Sequence, residues 1–260
     1  MSTVCLIGNS HVANLKRALP AVQAQFPQLQ TIFFASEGTS MELDIVDGGL
    51  VGRTEPARAR MAMTSGGDGA IRPVYDAYVL CGLTLSSIRA IKTYYATMKE
   101  LRAAGRAHAA SVLDIAEGMA PAIVGSLAFD IAAKLRRLTV APIFVIATPL
   151  SAYERHPEMW ARFEAKDAVG LLAEAYHRAC EKAAKDIDAV FVPQPAQTIG
   201  PNPLTTKPQF YTLTPEETAA ERAQHAHMNP EFGAIVLRDV LGRVVAALDA
   251  RAGRREPTAM

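Results

Sequence analysis

The chain has 260 residues, half of them hydrophobic and a fifth charged, which suits one α/β domain with a large core and excludes the disordered regime. Its 27 basic and 26 acidic side chains leave a formal net charge of +1, so no strong field recruits nucleic acid or an anionic membrane. Cys5, Cys81 and Cys180 stand at unrelated spacings that suggest neither a disulfide framework nor a metal site, and no apolar run approaches the ~18 residues of a membrane span.

Short apolar runs alternate with longer helical patterns. Thr3 to Ile7 reads as a first strand, bounded by Gly8, and is followed by a helix over His11 to Gln25 in which Val12, Leu15, Leu19 and Val22 recur at three- and four-residue spacing. Thr31 to Ala35 is a second, β-branched and aromatic strand. Asp44 to Arg72, rich in Gly, Asp and Arg, reads as an irregular excursion that could hold a hairpin. Tyr78 to Cys81 is a third strand, leading past Gly82 into a helix over Ser86 to Ala104. Ala107 to Leu138 is mostly helical, with a break expected around Gly118 to Pro121. Ile143 to Ala147 is a fourth strand, Trp160 to Lys185 a long helix, and Ala189 to Val192 a fifth strand. Pro193 to Pro208 reads as a loop, with Thr198, Thr205, Thr206 and Lys207 at the edge of the sheet. The last helix opens with Asn229 as N-cap and Pro230 at its first position, and runs to about Ala250.

Continuous apolar strands separated by helices imply a three-layer, doubly wound sandwich around a mostly parallel five-stranded sheet, flavodoxin-like in its wiring. Residues 1–250 are read as one domain and residues 251–260 as a flexible tail. With no basic region ahead of a long apolar stretch at the N-terminus, a cytoplasmic protein is expected.

In such sheets ligands bind beyond the carboxyl ends of the strands. Gly8-Asn9-Ser10-His11 lies there, at a helix start whose free N–H groups and dipole favour negative charge. Ser10 is therefore a candidate nucleophile, with helix capping as the plain alternative. The turn lacks the glycines of a dinucleotide fingerprint, and the Walker pattern is absent. His227, two residues before Asn229, emerges at the same edge and offers the base that a serine hydroxyl needs.

These segments resemble the SGNH (GDSL) hydrolase superfamily: GNSH is similar to its first-strand block, with Asn9 for the usual Asp, and HMNPEFG to its last block. The resemblance implies an SGNH hydrolase-like fold and acyl-enzyme chemistry without a cofactor or metal, on a small-molecule or carbohydrate ester such as an O-acetyl group. It implies Ser10 as nucleophile, His227 as general base, and the Ser10 and Gly38 N–H groups as oxyanion donors. The family's third donor, an asparagine, is here Thr84, and the acid three residues before the histidine is Gln224, with Glu221 one turn earlier as the nearest carboxylate. These two replacements keep open a relative that binds a glycan or acyl ligand without turnover. His11, His225 and His227 keep open a zinc site.

Overall fold

The computed structural model describes residues 1–37, 40–103, 105, 111–211 and 227–253. The central sheet is wholly parallel and contains β1 (Ser2–Gly8), β2 (Leu29–Ala35), β6 (Ala77–Cys81), β7 (Ile143–Ile146) and β8 (Val190–Val192). These are the five apolar runs expected from the sequence. Strands β6 and β7 are buried along their whole length because helices cover both faces. The two-residue period of β1 divides its side chains accordingly, Cys5 and Ile7 to one core and Val4 and Leu6 to the other.

The first of these cores is covered by α3 (Ser87–Ala103), α4 (Val112–Val124), α5 (Leu127–Arg136), α6 (Pro157–Glu164) and α7 (Val169–Asp186). The second lies under α1 (Val12–Val22) and α8 (Pro230–Gly253). The strand order is β2-β1-β6-β7-β8, so the winding reverses between β1 and β6. That switch point opens a crevice at the carboxyl ends of the two strands, where sheets of this kind bind their ligands.

The excursion after β2 is more regular than its composition suggested. It forms a three-stranded antiparallel sheet, β3 (Leu43–Val46), β4 (Gly49–Gly52) and β5 (Ala70–Ile71), with α2 (Glu55–Ser65) between the last two strands. Asp47 and Gly48 turn the β3–β4 hairpin with φ of 47° and 71°, the left-handed pair that a two-residue hairpin requires. Met41, Leu43, Leu50 and Ile71 pack into the same core as Ile7 and Phe34, so the excursion belongs to the main body.

Two helix boundaries differ from expectation. Helix α4 runs through Gly118 and Pro121 and ends at Gly125, after which Ser126 caps α5. Gly118 serves packing instead of a break: a Cβ there would lie 2.7 Å from the ring of Tyr94 on α3. The segment read as one helix from Trp160 to Lys185 is two, because the chain turns between Glu164 and Val169, with Asp167 at φ 48°. Among the described residues no single helix is long and apolar enough to cross a membrane; α4 and α5 together are apolar, but they are bent by 73°.

Candidate active site

Ser10 sits in the turn between β1 and α1, at the switch point. Val12 N–H donates to Asn9 O at 3.0 Å and Ala13 N–H to Ser10 O at 3.2 Å, which closes the turn and starts the helix. His11, not Ser10, occupies the cap position of α1, and it makes no side-chain cap bond. The Ser10 side chain is exposed, and among the described residues neither its hydroxyl nor its N–H has a hydrogen-bond partner. Capping therefore does not account for this serine.

The turn is wedged against the loop that follows β6. Asn9 Oδ1 accepts from His11 N–H at 3.3 Å. A Cβ on Gly82 would lie 2.7 Å from Asn9 Oδ1 and 3.1 Å from the His11 ring, so only glycine fits there. Gly82, Leu83 and Thr84 are all left-handed, with φ of 76°, 50° and 62°. Two consecutive non-glycine residues in that region store strain, which the surroundings must hold in place. They do so through backbone bonds: Gly82 N–H donates to Ile146 O, Ala128 N–H to Leu83 O, and Thr148 N–H to Leu85 O. Thr84 Oγ1 accepts from Leu127 N–H at 3.0 Å, so the hydroxyl considered as an oxyanion donor is engaged with the first turn of α5 and retains only its own proton to give.

His227 reaches the same turn from the far end of the chain. Asn229 Oδ1 accepts from Phe232 N–H at 3.0 Å and caps α8, as the sequence suggested. Asn229 N–H and amide also donate to Phe210 O and Gln209 O, and Met228 pairs with Tyr211. The segment is thus pinned to the end of the Pro-rich stretch, whose buried Thr198 and Thr205 donate to Pro195 O and Asn202 O within it and whose buried Thr206 donates to Leu150 O after β7. Those threonines serve as scaffold. Gly233, in the first turn of α8, lets that turn lie directly on α1, since a Cβ there would stand 2.5 Å from Asn14 O. Two helix starts in contact bring the residues ahead of them together: the His227 ring is 5.7 Å, centroid to centroid, from the ring of His11, the residue next to Ser10.

His11 is only 9% exposed, and its Nδ1 is buried without a partner among the described residues. Burial, and then the positive charges of His227 and Arg155, push its pKa down to about 4. His11 is therefore neutral at physiological pH, and any positive charge gained by His227 meets an uncharged neighbour.

Gly38, Gln224, Glu221 and His225 lie outside the described residues. Among the described residues no group of three or more His, Cys, Asp or Glu is placed to hold a metal ion.

Fold and site together define a doubly wound α/β protein with a serine turn and a distant histidine meeting at its switch point. No family model and no curated protein matches the sequence. Among solved structures the chain is similar to an extracellular lipase from Streptomyces rimosus, at 12% identity and a TM-score of 0.49, covering 94% of this chain and 100% of that one. A second solved structure is 13% identical with a TM-score of 0.42, covering 94% of this chain and 97% of its own. At such identities no residue role transfers from either.

Proposed function

We propose that this chain is a divergent member of the SGNH hydrolases, a serine-dependent ester hydrolase or acyl transferase that works through an acyl-enzyme on Ser10. One observation carries the reading. Ser10 has a hydroxyl with no partner among the described residues, at the switch point of the sheet, and His227 is held beside the same turn by the contact of two helix starts.

In the reaction the Ser10 oxygen bonds to the acyl carbon while its proton passes to His227. The carbonyl electrons move onto oxygen, and the Ser10 N–H at the positive end of α1, which has no partner among the described residues, is available to stabilise that charge. Collapse of the adduct expels the alcohol, which takes the proton from His227. Water or a second alcohol then repeats the sequence on the acyl-serine. A neutral His11 suits this cycle, because a second imidazolium would oppose protonation of His227 at the moment of attack.

Turnover of 4-nitrophenyl acetate tests the assignment. Ser10→Ala and His227→Ala are each expected to lower kcat/KM by roughly 10³-fold or more, with little additivity between them. Wild-type turnover in the Ser10→Ala protein would contradict it. A ligand-binding relative without turnover is favoured by one feature, the engagement of the Thr84 hydroxyl with α5. That reading predicts a folded wild-type protein that is inert toward esters.

A further inference from the structure

Beyond the carboxyl ends of β6 and β7 lies a polar cleft of about 250 Å³. Its wall includes Met228, the neighbour of His227 in the chain. Lys92 from α3 enters it on one side, and Arg155 and His156, leading into α6, enter on the other. Ser86, Ser87 and Ser151 add hydroxyls, and the buried Ser151 oxygen has no partner among the described residues. Among the described residues no Asp or Glu lines the cleft. Glu154, next to Arg155 in the chain, stands outside the lining, and neither Lys92 nor Arg155 forms an ion pair with a described residue.

Some basic side chains of this protein pair with carboxylates, among them Arg53 with Glu42 and Asp44, Arg60 with Glu37, and Lys134 with Asp130. Lys92 and Arg155 of the cleft have no such partner among the described residues. Its cations feel one another, since His156 is held below its ordinary pKa by burial and then by Lys92 and Arg155. Arg155 also bears on His11, which ties the cleft electrostatically to the Ser10 turn. Like charges drawn together with no carboxylate among the described lining residues raise the free energy of the empty cleft, and an anion among them relieves it.

We propose that this cleft is an anion subsite, built to take the carboxylate of an acidic substrate whose ester group lies at Ser10. The position of the ester rests on the catalytic reading above, but the anion subsite itself does not. Arg155 offers a planar fork that matches a carboxylate, Lys92 a compact charge, and the serines neutral donors for the remaining lone pairs.

A pair of unreactive probes tests the subsite without turnover. 4-Acetamidobenzoate and 4-acetamidobenzamide are close in shape and differ in one charge, and neither carries a cleavable ester. Binding to the full chain is followed by NMR titration. The acid is expected to bind at least about tenfold more tightly than the neutral benzamide, with a preference that shrinks as salt rises and as inorganic phosphate is added. Arg155→Met and Lys92→Met should each reduce that preference several-fold, and the double variant should abolish it. Both side chains are exposed, so circular dichroism should remain that of the parent. Equal binding of acid and benzamide, or a preference that survives the double variant, would overturn the subsite.

The ester pair 4-acetoxybenzoate and methyl 4-acetoxybenzoate then separates the two claims. A preference for the acid in kcat/KM that collapses in the double variant supports a subsite serving Ser10. Tight binding of the acid with no turnover of either ester would overturn the catalytic reading and leave the anion subsite standing.

Discussion

Replacing Ser10 with alanine separates a nucleophile from a helix cap. A serine that caps its helix contributes about 0.5–2 kcal/mol, and its loss would show directly in unfolding. Ser10 is exposed, its hydroxyl has no partner among the described residues, and His11 holds the cap position of α1. The expected change for Ser10→Ala is therefore within about 0.5 kcal/mol, as for any exposed side chain free of special contacts. Asn229 supplies the contrast in the same molecule. Its side chain caps Phe232 N–H at 3.0 Å and donates to Gln209 O at 2.7 Å, so Asn229→Ala should lose roughly 1–3 kcal/mol. Urea unfolding at neutral pH, followed by circular dichroism and by the fluorescence of the buried Trp160, measures both. A loss of 1 kcal/mol or more in Ser10→Ala would refute the reasoning, because it would restore the structural role that the geometry removes.

His11 gives a pH signature. Its folded pKa of about 4 lies below the ordinary 6.5, so as pH falls from 6.5 to 4 the unfolded chain takes up a proton that the folded chain refuses. Stability contributed by a neutral His11 is complete above pH 6.5 and is lost by about pH 4, at about 1.4 kcal/mol per pH unit, or roughly 3 kcal/mol in all. The stabilities of wild type and His11→Asn should therefore converge in favour of the variant as pH falls through that window, and parallel curves would show that His11 protonates freely. Gly233→Ala forces a Cβ to within 2.5 Å of Asn14 O. The crowding, about 1–3 kcal/mol, should outweigh the ~1 kcal/mol that alanine gains in a helix, and separating α8 from α1 should lower ester turnover with it. A stabilised, fully active variant would contradict the close crossing.

The sheet was legible in the sequence because burial on both faces writes each strand as an unbroken apolar run, as in Tyr78 to Cys81 and Ile143 to Ile146. The strand order was not written there, but βα alternation and the rarity of other crossovers leave few arrangements. Boundaries that depend on tertiary contact were hidden. Gly118 looked like a break and is instead the seat of the Tyr94 ring, while the turn at Asp167 carries no Gly or Pro to announce it. Ser10 and His227 were legible through their places at strand and helix ends. The role of Gly233 in bringing them together showed in the sequence only as a glycine in a helix's first turn, where no propensity calls for one. The cationic cleft had no sequence signal at all: Lys92 lies on α3 and the adjacent pair Arg155 and His156 far along the chain before α6, and they meet only through the fold.

The central claim is that Ser10 is an activated nucleophile, and covalent labelling reads this without a known substrate. The protein is incubated with a fluorophosphonate and its intact mass measured, followed by peptide mapping. Stoichiometric addition on the peptide carrying Ser10, absent in Ser10→Ala and greatly slowed in His227→Ala, is the predicted result. A folded wild-type protein that takes up no label, or takes it up equally well without Ser10, would contradict the account.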